Sequence, residues 1–437
     1  MSLEFGYALP ALNNLGAVGT YTPALNINFL SGTLDSRITF TRASTATYYD
    51  STGTLQTAAI NAPRFDYNPS TLAARGLLIE EQRTNSIRNN TMQGAVAGTP
   101  GTQPTNWAIG GTTTGLTISV IGTGTANGIN YIDIRFNGTA GAALNPNILF
   151  DTSSGIAATN GQSWAWSTYL SLVGGSLTNV TNIIPVISMF NSTPSLLGTL
   201  SGSAITPTNA GLATQRTSYA ATLNQTTTAY IRPQLQFNVA NGAAVDVTLR
   251  IGLPQLEQGA FATSVIPTTT AAATRSADLA TMTGTNFSSW YTQSQGTFVT
   301  QFVWEGLKTV AGQRVITTDD GTTTNQMQQG AGSSNALLTT LTTAGATEVN
   351  TSTPATTFVA GTVYKSALAY ATNNTVAALN GTIGTTDTVC AMPTALTTFR
   401  FSPNASTPTV VNANVWYASL KFYPIRLANG TLQVLTT

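Results

Sequence analysis

At 437 residues the chain has room for two or three domains, each with a core of its own. Apolar residues make up 42% and mean hydropathy is +0.08, which excludes a disordered polyampholyte, whereas charged residues reach only 8% against about a quarter in an ordinary soluble protein. The 17 basic and 16 acidic side chains leave a net charge of +1 with no basic stripe, so nucleic acid is not an expected partner.

With so few charges, solvent-facing positions fall to Thr, Ser, Asn, Gln and Gly, a profile that favours strands and turns. Lysine, which commonly blunts sheet edges, occurs only at Lys308, Lys365 and Lys421, so assembly with further copies or a larger particle is expected to cover the edges. No histidine is present, which removes Ser-His-Asp, Cys-His and histidine-metal chemistry. The single Cys390 forms no intrachain disulfide and reads as a small buried residue. No apolar run reaches membrane-spanning length, and MSLEFGYALPAL lacks the features of a signal peptide, so synthesis in a cytoplasm without membrane insertion is expected.

In chain order, residues 1–34 carry Pro10, Pro23 and repeated Gly and Asn and read as an extended arm. Eleven of the charged residues fall between Asp35 and Arg88, so residues 35–88 are expected to be a small irregular module. Paired charges would hold it together: Arg42, Asp50, Arg64, Glu80, Glu81 and Arg83. Short strands are predicted at Arg37 to Thr41 and at Leu55 to Thr57, the second after a turn at Asp50.

Residues 89–267 alternate as a two-sheet sandwich. Ile132, Ile134 and Phe136 oppose Tyr131, Asp133 and Arg135; Trp164, Trp166 and Leu170 oppose Ala165, Ser167 and Tyr169. From Tyr230 to Val239 a core face of Ile231, Leu235, Phe237 and Val239 backs a polar row. The last strand, with Val245, Val247, Leu249 and Ile251 inward, is predicted to end at Pro254, and residues 268–275 to form an exposed link.

Residues 276–437 repeat the theme. Phe298, Phe302 and Trp304 alternate with polar partners, Leu379-Asn380-Gly381-Thr382 reads as a hairpin turn, and Trp416, Ala418, Leu420 and Phe422 are expected on one face until Pro424. Ala428 to Leu435 reads as a closing helical turn or two. The fold class is thus all-β, two consecutive β-sandwich (jelly-roll) domains after a small N-terminal module.

For chemistry, Glu80-Glu81 and Asp319-Asp320 are sequence neighbours that point to opposite faces, and Glu305 has no acidic companion two residues to either side, so no catalytic pair is expected. Asp319, Asp320 and Asn325 around Gly321 read as a solvated turn, not a calcium loop. No cofactor or metal is expected. The outer row Tyr230, Arg232, Gln234 and Gln236, with Tyr169 on another strand of the same sandwich, has the aromatic, amide and guanidinium chemistry of a glycan site or a subunit interface.

The words ITFTRASTATYYDSTGTLQTA, APRFDYNP and GLLIEEQRTNSIRN, between about Arg37 and Asn89, resemble an N-terminal module of tailed-bacteriophage and prophage fibre, head-spike and tail proteins. In that family a carbohydrate-binding-module-like jelly roll follows, whose end resembles QLEQGAFATSVIPT, and often a concanavalin A-like or laminin-G-like domain, which NFSSWYTQSQGTFVTQF and WYASLKFYPIRLANGTLQVL resemble. The resemblance implies a virion protein on tail or head, made in the host bacterial cytoplasm. It would be a homotrimer whose N-terminal region anchors to capsid, portal or tail proteins and whose sandwiches attach to host surface polysaccharide without being an enzyme. Capsid decoration without sugar binding and glycan depolymerisation are the other readings.

Overall fold

The structure, a computed structural model, describes residues 21–308, 312–401 and 413–437. Antiparallel sheets make up nearly all of its regular secondary structure, as the composition suggests. One sandwich packs a five-stranded sheet, in the order Arg216–Thr222, Ser163–Gly175, Ala244–Gln258, Ile129–Thr139 and Leu116–Ala126, on a six-stranded one. The path of the latter runs Leu196–Ser201, Val180–Phe190, Tyr230–Val239, Asn145–Leu149 and Ala108–Thr112, with Ile156–Ala157 beside Tyr230–Val239. The period-two pattern decides which faces meet: Ile132, Ile134 and Phe136 are buried against Ile231, Leu235 and Phe237, and the Phe136 and Phe237 rings meet edge to face at 4.9 Å. Each such side chain contributes about 1.5–3 kcal/mol by leaving water.

The second sandwich departs from the expected domain order, because it is built from both ends of the chain. Its larger sheet runs Thr382–Ile383, Val376–Leu379, Val363–Ala371, Gln295–Gly306, Asn414–Tyr423, Ala74–Ile79 and Phe65–Tyr67, with Leu25–Asn28 also paired to Asn414–Tyr423. The facing sheet runs Thr39–Thr41, Leu279–Thr283, Thr398–Phe401, Gln313–Asp319, Gln326–Ala331, Leu337–Thr343 and Ala346–Thr351. Residues 35–88 therefore supply strands to this sandwich and are no separate module. The arm expectation fails over residues 21–34, where Leu25, Ile27 and Phe29 are buried in the core; residues 1–20 lie outside the described ones.

The exposed link is corrected at its two ends, while residues 269–272 are exposed as expected. Ala273–Arg275 pairs with Arg83–Asn85, and Thr268 and Arg275 are buried. The chain leaves for the first sandwich and returns from it at one place, where the Thr268 N–H donates to the Asn90 side chain at 2.7 Å and the Asn90 N–H to the Thr268 carbonyl at 3.1 Å. Nor does Pro254 end its strand. Pairing with Ile129–Thr139 stops at Gly252, while pairing with Ser163–Gly175 resumes at Gln255 after an irregularity, so the proline, which has no N–H, sits where one side of the strand is unpaired.

Two local readings differ in outcome. Asn380 and Gly381, at φ of 45° and 76°, make the expected two-residue turn between Val376–Leu379 and Thr382–Ile383. The face assigned to Trp416 is reversed. Gln301 pairs with Ser419 and Phe302 with Tyr417, leaving Ala418 as an extra residue, so Val415 and Tyr417 join Leu420 and Phe422 in the core. Trp416 is turned to the opposite side. Gly76 lies against this bulge, where a Cβ would stand 2.0 Å from the Tyr417 carbonyl oxygen. The chain closes with the helix Asn429–Thr436, which buries Leu432 against Val376 and Leu427.

Candidate functional site

The reversed Trp416 opens onto a cavity of about 190 Å³ between the two sandwiches. One wall is the hairpin Ala46–Tyr49 and Leu55–Ala58, whose turn is closed by the Asp50 carboxylate accepting from the N–H groups of Thr52 and Thr54 at 2.9 and 3.1 Å. The hairpin packs on the outer face of the five-stranded sheet, where the Tyr49 hydroxyl donates to that of Tyr169 at 2.6 Å. Burial pushes both phenols above their ordinary range and keeps them neutral. Arg216, cross-strand from Tyr169, lies 5.8 Å from its ring centre and donates to the Ser167 hydroxyl at 3.0 Å.

The opposite wall belongs to the second sandwich. The buried Asp66 accepts from the Tyr49 N–H at 2.7 Å, the Trp416 indole at 2.9 Å and Arg75 at 3.2 Å, and the Arg75 guanidinium lies 4.7 Å from the Trp416 ring centre. Burial raises the Asp66 carboxyl, an effect that Arg75 reduces without cancelling.

Glu305 lines the cavity between these walls, with its Oε2 shielded and unpartnered. Behind it lies Glu80, which accepts from Arg64 at 2.5 Å, from Arg275 at 3.1 Å and from the Ser264 N–H and hydroxyl at 2.7 and 2.6 Å. Asp278 completes the cluster. It takes hydrogen bonds from Arg64, from Arg42 at 3.0 Å and from the Glu80 N–H at 2.8 Å. Burial favours a proton on each glutamate, but at Glu80 the charges of Arg275 and Arg64 outweigh it and hold that carboxyl far below the usual range. At Glu305, burial and the negative charge of Glu80 act together and raise the carboxyl well above its ordinary value. The site thus sets a carboxyl biased toward its neutral form beside one biased toward its charged form.

The residues expected to form one glycan site are divided by the structure. Tyr230, Arg232, Gln234 and Gln236 lie on the six-stranded sheet, with Arg232 4.9 Å from the Phe190 ring centre and Gln234 buried, whereas Tyr169 lies on the other sheet and faces the cavity. Of the expected charge network, Arg42, Arg64 and Glu80 meet around Asp278. Glu81 binds Arg83, at 2.8 Å to Nε, and Lys308 beside it. Asp50 takes no part, since its carboxylate is spent on its own turn. Asp319 accepts from Arg400 at 2.7 Å, and Asp320 closes a turn with Thr322. Among the described residues no His, Cys, Asp or Glu cluster suits a metal ion.

Sequence reading missed Arg216, Asp278 and the pairing of Glu305 with Glu80. The partners of these residues come from other strands and lie far along the chain, where spacing carries no signal.

No family model and no curated protein matches the chain. Among solved structures, the Ruminococcus gnavus IT-sialidase CBM40 is similar with a TM-score of 0.29 and 16% identity, over 33% of this chain and 84% of that one. The enzymatically active domain of bacteriophage CBA120 tailspike protein 4 is similar with a TM-score of 0.24 and 18% identity, over 35% and 19%. Trypanosoma rangeli sialidase is similar with a TM-score of 0.28 and 11% identity, over 74% and 62%. These scores assign no site or activity to this chain. The expectation that it is not an enzyme is nonetheless corrected, since sialidases and an enzymatically active tailspike domain stand among the similar structures.

Proposed function

We propose that the chain is a glycan-binding protein displayed on a tailed-bacteriophage or prophage particle, with the cavity between its sandwiches as the sugar site. The observation that carries the sugar reading is the lining itself: Tyr49, Tyr169 and Trp416 supply aromatic surface, while Arg216 and Glu305 supply polar groups not used up by ion pairs with each other. Sugar rings need both, apolar faces to stack on and donors or acceptors for their hydroxyls. The particle reading rests on the sequence words between Arg37 and Asn89. In it the protein is a homotrimer, contacts capsid, portal or tail proteins through its N-terminal region, and gains strength from many weak contacts on one particle.

The test is the purified full chain on a panel of host surface polysaccharides, with Trp416→Ala as the cavity variant. Retention of one polysaccharide by the wild type, weakened at least tenfold in a folded variant, is the expected result. Silence across the panel overturns the sugar reading, and release of oligosaccharide turns binding into hydrolysis.

A further inference from the structure

We infer that the sugar received by this cavity is acidic, a single pyranose unit whose carboxylate is taken by Arg216. This rests on the glycan reading above and narrows it to a chemical class.

Arg216 is half-buried and, among the described residues, makes no direct ion pair: Arg64, Arg42, Arg275 and Arg75 each touch a carboxylate, whereas Glu257 and Glu305 act on Arg216 only from beyond contact distance. Holding a guanidinium away from water without a directly bonded counter-ion is costly, so such a group is a receptor for an anion that arrives from outside. Glu305 is no substitute. Burial and the adjacent charge of Glu80 both favour its neutral form, so it offers Arg216 little counter-charge. Its Oε2 is shielded and has no hydrogen-bond partner among the described residues.

The geometry suits a carboxylate in particular. Only Nη2 of Arg216 is engaged, by Ser167 at 3.0 Å, so its other N–H groups remain for a two-pronged contact. Tyr169 accepts the proton of Tyr49, and its own has no acceptor among the described residues, so a second donor stands beside the guanidinium. The size is restrictive. About 190 Å³ is below the ~300–1,000 Å³ of sites that enclose drug-sized ligands, so the cavity takes one ring and leaves the rest of a chain outside.

The experiment is titration calorimetry of the full chain with the methyl glycosides of glucuronic, galacturonic and N-acetylneuraminic acids, each against its uncharged counterpart: methyl glucoside, methyl galactoside and the neuraminic methyl ester. At least one acid is expected to bind tenfold or more tightly than its counterpart, and Arg216→Gln to abolish the difference. Arg135→Gln, which breaks an exposed pair with Asp246 away from the cavity, is expected to preserve it. Equal affinity for acid and counterpart overturns the inference and leaves the glycan reading standing. Failure of every methyl glycoside also overturns it, while retention of a host polysaccharide would then still support glycan binding elsewhere on the protein. The wild-type comparison decides even if Arg216→Gln does not fold.

Discussion

Arg42 donates to Asp278 at 3.0 Å across 236 positions of chain, with neither side chain exposed. Everything between them includes a complete sandwich, so the bond joins the segment before that sandwich to the segment after it. Arg64 does the same through Asp278 while also holding Glu80 on its own side of the insertion, and Arg275 reaches back to Glu80 at 3.1 Å. Few other contacts would close an interrupted domain so directly, since here both ends must meet in a fixed register.

Removing one partner should therefore be costly. Arg64→Ala leaves Glu80 and Asp278 buried with fewer cations, and breaking such a pair costs about 3–5 kcal/mol. The denaturant midpoint of the variant should fall accordingly with little change in slope. A shift below about 1 kcal/mol, the scale of exposed pairs, would show that the cluster does not close the domain.

The turn that follows the first described strand makes an equally sharp prediction. Phe29 is fully buried and its ring lies 5.3 Å from that of Phe401, so Phe29→Ala should cost about 3–5 kcal/mol. Thermal denaturation would read it directly. An arm free of the domain would tolerate the change.

What could be read in advance follows from the range of the interactions. Alternation from Tyr230 to Val239 and the Asn380-Gly381 turn are local, and both strand and turn stand where the pattern puts them. The bulge at Ala418 is not local: it depends on how Gln301 and Phe302 pair with the strand, and one extra residue moves Trp416 from the expected core face to the cavity. Excess charge between Asp35 and Arg88 signalled paired burial, yet its partners Asp278 and Arg275 lie beyond the inserted sandwich. Glu305 looked solitary because its companion Glu80 directly follows Ala74–Ile79, a strand on the far side of Asn414–Tyr423.

The proposed trimer is testable apart from any ligand. The edge strand Leu196–Ser201 bears no charge and exposes Leu196 at 60%, and the opposite edge Ala108–Thr112 is likewise uncharged. Such edges invite pairing unless covered. Light scattering after size exclusion should give the mass of a trimer at micromolar concentration, and a monomer mass would end that proposal.

Glu305 and Glu80 should give stability opposite dependences on pH. Glu80 is held low, so its contribution is fully present above the unfolded value of about 4.5 and is lost as pH falls toward its folded value. Glu305 is held high by burial and by Glu80. Below about 4.5 it is protonated in both states and adds no slope; above that the unfolded chain releases the proton first, so stability declines as pH rises toward the folded value. Glu305→Gln keeps the size of the side chain and removes the titration. Its thermal midpoint should match that of the wild type within the ordinary carboxylate range and exceed it progressively as pH rises above that range. Calorimetric scans from that range upward decide the point. Parallel curves for the two proteins would mean that Glu305 is ionised in the folded state, and the assignment of a neutral carboxyl to the cavity would fall.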